Sequence, residues 1–201
     1  MTGSPNFACV MQRFKLFSTK PQNARRGLAS RFLSDERGTT ALEFGLLAVP
    51  FFAIIGAILE TALVFLASQV LDSAVQDSSR LIRTGQAQTA TPAYQLADFN
   101  AQMCSRLFGI FDCTKLKTVV KVVTSFATAT TPTSPIDPID PTKWTITPVF
   151  QPGSGSQVIM VQVYYKWPII LAFGGFGLAT SSDGTRMLAS TRVFENEPFT
   201  S

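Results

Sequence analysis

From Phe44 through Leu59 the chain runs 16 residues without a charge, and after Glu60 the apolar character resumes through Ala67. As a helix rising about 1.5 Å per residue, Phe44 to Ala67 reaches roughly 36 Å, enough to cross a hydrocarbon core about 30 Å thick with some tilt. A soluble core helix of that length would show a polar face, and Phe44 to Leu59 shows none. The pattern therefore predicts a transmembrane helix. Past Ala67 the apolar positions become Val70, Leu71, Ala74, Val75, Ser78, Leu81 and Ile82, the i, i+3, i+4, i+7 stripe of an amphipathic helix, with Gly85 as its stop. The two segments read as one helix from Thr39 to Thr84, roughly 70 Å long. Pro50 removes one of its hydrogen bonds and is expected to bend it, which transmembrane helices tolerate when neighbours repack around them.

A Gln, Thr and Ala linker around residues 86 to 92 leads to a second, short helix with Leu96, Phe99, Met103 and Leu107 on one stripe and Gly109 as its stop. Leu116 to Phe126 reads as a strand, with Lys115, Lys117 and Lys121 on one parity and Leu116, Val120, Val122 and Phe126 on the other. Prolines at 132, 135, 138 and 141 cannot enter a ladder, so residues 127 to 142 are expected to form an extended surface loop. Two more strands are expected near Gln157 to Lys166 and Thr185 to Phe194. Between them, Trp167 to Thr180 is too short and too interrupted by Gly174, Gly175 and Gly177 for a second span. It reads as a subunit contact, a membrane-surface loop or a cover for the core. The expected fold class is α+β: a long N-terminal transmembrane helix carrying a small antiparallel β-sheet. Residues 1 to 38 form a basic leader, 39 to 85 the helix, and 86 to 201 an extracytoplasmic domain.

Charge gives this arrangement a direction. The chain is +4, yet residues 1 to 37 hold seven basic and two acidic residues, leaving ten basic against eleven acidic beyond them. The positive-inside rule puts the leader in the cytoplasm and everything after about residue 70 outside. Because the folded part is near neutral, it lacks the basic stripe that nucleic-acid binding needs. The chain has no histidine, which removes the commonest general base and zinc ligand and the Ser-His and Cys-His forms of nucleophilic catalysis. An enzyme is not expected, nor a cofactor or small-molecule substrate. No metal site is expected either, because the prolines around Asp137 and Asp140 keep the backbone too extended to cage calcium.

Of the three cysteines, Cys9 lies on the reducing side, while Cys104 and Cys113 fall in the outer part, where they can pair or remain as two buried thiols. A bridge there would staple the short helix to the following strand. Two carboxylates, Glu43 and Glu60, interrupt the apolar segment; roughly 25 Å apart along a helix, they can lie near opposite interfaces.

Around the first of them the sequence reads RGTTALEF from Arg37 to Phe44. A glycine preceded by charge, a glutamate five residues on and an aromatic at the start of an apolar helix resemble the type IV prepilin processing site. In that family a membrane aspartyl peptidase cuts after the glycine, here between Gly38 and Thr39, and the glutamate, here Glu43, neutralises the N-terminal amine of a neighbouring subunit. Thr39 departs from the phenylalanine common after the cut, which weakens the case for N-methylation. The wider stretch RFLSDERGTTALEFGLLAVPFF, the Cys104 and Cys113 pair, a Val-rich strand and the closing VFENEPF (Val193 to Phe199) resemble the TadE-like family of the tight-adherence (Tad, Flp) pilus system.

That resemblance implies a pseudopilin of the inner membrane, its C-terminal domain periplasmic and the mature chain able to enter a surface pilus. Its partners would be the lipid bilayer, the prepilin peptidase, other pilins and pseudopilins, and the Tad inner-membrane assembly platform. Two alternatives stand beside it: an uncleaved single-pass tether of the assembly machinery, and an extracytoplasmic sensor, for which the leader is too short to be an output module.

Overall fold

The structure, a computed structural model, describes residues 38–129, 134–170 and 177–199. The basic leader with Cys9 lies outside the described residues, as do Gly174 and Gly175. The chain divides into two units, residues 1–48 and 49–201. The described part of the first is Gly38 and the opening turns of helix α1, Thr39–Arg83. All packing described below belongs to the second.

Helix α1 runs 45 residues with Pro50 inside it. Its buried positions are Glu60, Val64, Ala67, Leu71, Ala74, Val75, Ser78, Ser79 and Ile82, a spacing of three and four residues that places them on one face. Arg80 and Arg83 in the last turn complement the negative end of the helix dipole. Thr84 N–H donates to Arg80 O at 2.9 Å and Gly85 N–H to Ile82 O at 3.1 Å. Gly85 has φ +77°, and the Phe199 ring lies where a β-carbon would stand, so both conformation and space restrict this stop to glycine.

What reads as a linker begins with a single helical turn, α2, Gln86–Thr89. Helix α3, Leu96–Cys104, follows, its first turn closed by the Asp98 carboxylate accepting from Gln95 N–H at 2.9 Å. Phe99, Met103 and Leu107 are fully buried, as the stripe predicts.

Four strands form one sheet in the order β2-β1-β3-β4: β1 Lys117–Val123, β2 Val149–Phe150, β3 Val158–Pro168 and β4 Thr185–Glu195. The β1–β3 and β3–β4 pairs are antiparallel, whereas β2 runs parallel to β1, with Val119 opposite Val149 and Val120 opposite Phe150. The sheet is therefore mixed rather than wholly antiparallel. Two residues carry no alternation of their own, so β2 left no periodic signal.

Ile159, Val161, Val163 and Tyr165 of β3 share one apolar core with Leu71, Val75 and Ile82 of α1, the α3 stripe and Val120 of β1. Met160, Gln162 and Tyr164 on the alternate parity are also buried. Coverage on both faces explains why β3 reads as a nearly unbroken apolar run.

The proline-rich segment is less extended than expected. Ile136 and Trp144 form an antiparallel bridge, and Ile136 is buried. Asp137 accepts from Ile139 N–H at 2.8 Å, and Asp140 from Thr142 N–H at 3.1 Å, so each aspartate closes a local turn. Lys166 of β3 fastens the segment to the sheet: its ammonium bonds Pro141 O and Asp183 and stands 5.3 Å from the centre of the Trp144 ring. Burial works to raise the Asp183 pKa, but hydrogen bonds from Thr185 and Lys166 outweigh it and hold that carboxyl below the usual carboxylate value.

The chain's closing residues lock the helix end. Asn196 Nδ2 donates to Pro152 O at 2.9 Å and Ser154 O at 3.0 Å, and its main chain exchanges bonds with Gln157 O and Ser156 N–H. Glu197 N–H then donates to Arg83 O at 2.9 Å, satisfying one of the carbonyls a helix leaves open at its end. Gly155 allows this approach, since a β-carbon there would stand 2.8 Å from the Phe199 backbone. Asn196→Ala is expected to lower stability by about 1 to 3 kcal/mol, because the buried Asn196 amide holds the carbonyls of Pro152 and Ser154 together. Glu195→Ala, at an exposed position, should stay within about 0.5 kcal/mol. Denaturation of the full chain in detergent micelles compares the two.

Candidate processing and helix-contact sites

Gly38 immediately precedes the first residue of α1, and a β-carbon built on it would meet no described atom within 4 Å. Thr39 and Glu43 are one turn apart on the helix and both are exposed. No hydrogen bond or ion pair joins the Glu43 side chain to another described residue. A carboxylate one turn inside an apolar helix is costly in hydrocarbon unless another group compensates its charge. Leu42, Phe44, Leu46, Leu47, Val49, Phe51, Phe52, Ile54, Ile58 and Leu59 are all well exposed. The helix thus has apolar character on every side through this stretch and is the one candidate membrane span among the described residues.

Glu60 is different. It is only 8 % exposed, and its Oε1 accepts the main-chain N–H of Ile170 at 2.6 Å. The expectation for it named only a position near an interface; the structure adds that the side chain faces the folded unit. The signal was present in the spacing, since Glu60 stands four residues before Val64 and in phase with the buried stripe. Read from Val70 onward, that stripe begins too late to include it. Asp72, also missed, is half-exposed on α1 and binds both Ser190, at 2.8 Å, and Arg192 of β4. Nothing local in the sequence pairs residues more than a hundred positions apart.

Cys104 ends α3 and Cys113 begins a single 3₁₀ turn, Cys113–Lys115. They are disulfide-paired, with Cα atoms 6.0 Å apart. The intervening turn places Phe108 at φ 52° and Gly109 at φ 72°. Beside it, hydrogen bonds from the Thr114 hydroxyl and from Lys115 hold the Asp112 carboxyl below its ordinary value. Among the described residues no three His, Cys, Asp or Glu side chains gather to hold a metal ion. The Asp137 and Asp140 carboxylates are committed to their turns, and Asp140 also pairs with Lys143 at 3.0 Å.

Residues 38–80 match the family model described as TadE-like protein. No curated protein and no solved structure matches the chain. The matched stretch starts at Gly38, contains Thr39, Glu43 and Glu60, and covers nearly all of α1; the disulfide pair and the closing VFENEPF lie beyond it. Sequence resemblance and family model thus point to the same similarity, over residues 38–80, to the TadE-like family, which implies involvement in the Tad pilus system.

The two glutamates should separate by experiment. Glu60→Ala leaves the Ile170 N–H without its acceptor and is expected to cost about 1 to 3 kcal/mol in the fold. Glu43→Ala removes no described contact and should leave thermal denaturation of the full chain unchanged.

Proposed function

We propose that this chain is a pseudopilin, or minor pilin, of a Tad-type pilus, cut after Gly38 by a prepilin peptidase and delivered from the inner membrane into the assembling fibre. The observation that carries this reading is the family match opening at Gly38, with the helix beginning at the next residue. A glycine at the cut offers a peptidase a backbone unshielded by a side chain. The cut frees an ammonium at Thr39, at the mouth of an apolar helix. Glu43, without a partner among the described residues, is then available to compensate that charge on a neighbouring subunit, a pairing that makes burial of both groups tolerable. The long exposed apolar length of α1 suits lipid first and other helices afterwards.

In this account the folded unit lies outside the cytoplasm, where the Cys104–Cys113 disulfide persists. Its work is contact with the prepilin peptidase, other pilins and the Tad assembly platform rather than catalysis. The alternative in the same system, an uncleaved tether, differs in where the protein ends up.

Shearing the cell surface tests this. The pseudopilin reading expects the chain in the sheared pilus fraction, and its depletion from that fraction in Glu43→Ala despite normal membrane levels. Retention of all wild-type protein in the membrane, with piliation unchanged by Glu43→Ala, would favour the tether.

A further inference from the structure

Along α1 the fold and the bare apolar surface overlap. Glu60, Val64 and Ala67 are covered by the folded unit, while Leu59, Leu63, Phe65 and Leu66 on the other sides remain exposed, Phe65 at 66 %. Glu60 and Leu66 are roughly 9 Å apart along the axis. Within that band one side of the helix touches its own domain, and the other sides are as apolar as the segment before them. A membrane boundary drawn at Leu59 would leave Leu63, Phe65 and Leu66 in water, at about 25 cal/mol for each Å² of apolar surface. A boundary drawn at Leu66 brings the base of the folded unit into the bilayer surface.

The residue at that base is fixed. The Ile170 N–H bond to Glu60 ties the end of β3 to the start of the band, and the Ile170 side chain is 82 % exposed. Ile169 and Trp167 beside it are half-buried against the core. Charge is arranged to match. After Glu60 the next charge on α1 is Asp72, roughly 18 Å further along the helix, and the charges nearest the base on the sheet side, Lys166 and Asp183, are paired with each other at 3.2 Å. Arg186 pairs across the sheet with Trp167, a cation beside an indole at the level where headgroup phosphates would stand.

We propose that this base, Ile170 with Trp167 and Arg186, sits in the boundary between headgroups and acyl chains, so that the folded unit rests in the membrane surface instead of standing clear of it. Interfacial elements bury about 5 to 10 Å into this zone, which matches the depth of the overlap band. The inference rests on the reading of α1 as a membrane span.

A single cysteine is introduced as Ile170→Cys, Leu66→Cys or Ile139→Cys into a full-length Cys9→Ser chain whose Cys104–Cys113 bridge is kept oxidised. Each is labelled with an environment-sensitive fluorophore in phosphatidylethanolamine and phosphatidylglycerol vesicles carrying a shallow nitroxide lipid. The expected result is loss of fluorescence at positions 170 and 66, but not at 139, which is 92 % exposed and outside the proposed base. Quenching at 66 with none at 170 would overturn the proposal while leaving the span intact, whether the label at 170 reports water or a dry protein contact. Absence of quenching at both positions would draw the boundary nearer Leu59 and likewise overturn the proposal.

Discussion

One helix has to satisfy two surroundings, and the rest of the molecule is organised by that demand. From Leu42 to Leu59 the large apolar side chains of α1 find almost no cover among the described residues. From Glu60 onward one face is sealed by sheet and short helix, with Leu71, Val75 and Ile82 at the centre of the core. Apolar area without cover must be removed from water by something else. Lipid and neighbouring helices are the two covers that accept a helix apolar on every side. The described fold therefore packs only on the C-terminal half of α1 and leaves the N-terminal half for other surroundings to cover.

The two carboxylates of this helix express the same division. Glu60, in phase with the buried stripe, is engaged by the domain through Ile170 N–H. Glu43, one turn from the helix start, is engaged by no described residue. A charge kept where the local fold gives it no partner and the surroundings are apolar points to compensation from outside the chain. At the other end of α1, Gly85, Asn196, Glu197 and Phe199 close the helix terminus, giving VFENEPF a structural role independent of assembly.

Much of this was legible in the sequence because it is periodic. The apolar run, the stripe from Val70 to Ile82, the Phe99, Met103 and Leu107 stripe and the long strands each repeat over several residues, and repetition is what propensity and patterning detect. What escaped was short or distant. The two residues of β2 show no alternation, and its parallel pairing depends on a loop crossing. The bridge of Ile136 to Trp144 and the Lys166 clamp depend on packing, which let a proline-rich segment fold where its composition suggested an extended loop. The Asp72 contacts with Ser190 and Arg192 join residues 118 and 120 positions apart. Gly38, Thr39 and Glu43 were readable as a candidate processing site because the motif that singles them out is a short spacing along the chain, and the family match opens at Gly38.

The central claim is that α1 begins its working life with a free amine at Thr39, one turn from Glu43. The most direct measurement is the N-terminal sequence and intact mass of the membrane-extracted protein from cells with and without their prepilin peptidase. The account predicts a chain starting at Thr39 in the first and an uncut leader in the second. A leader still attached in both would contradict it.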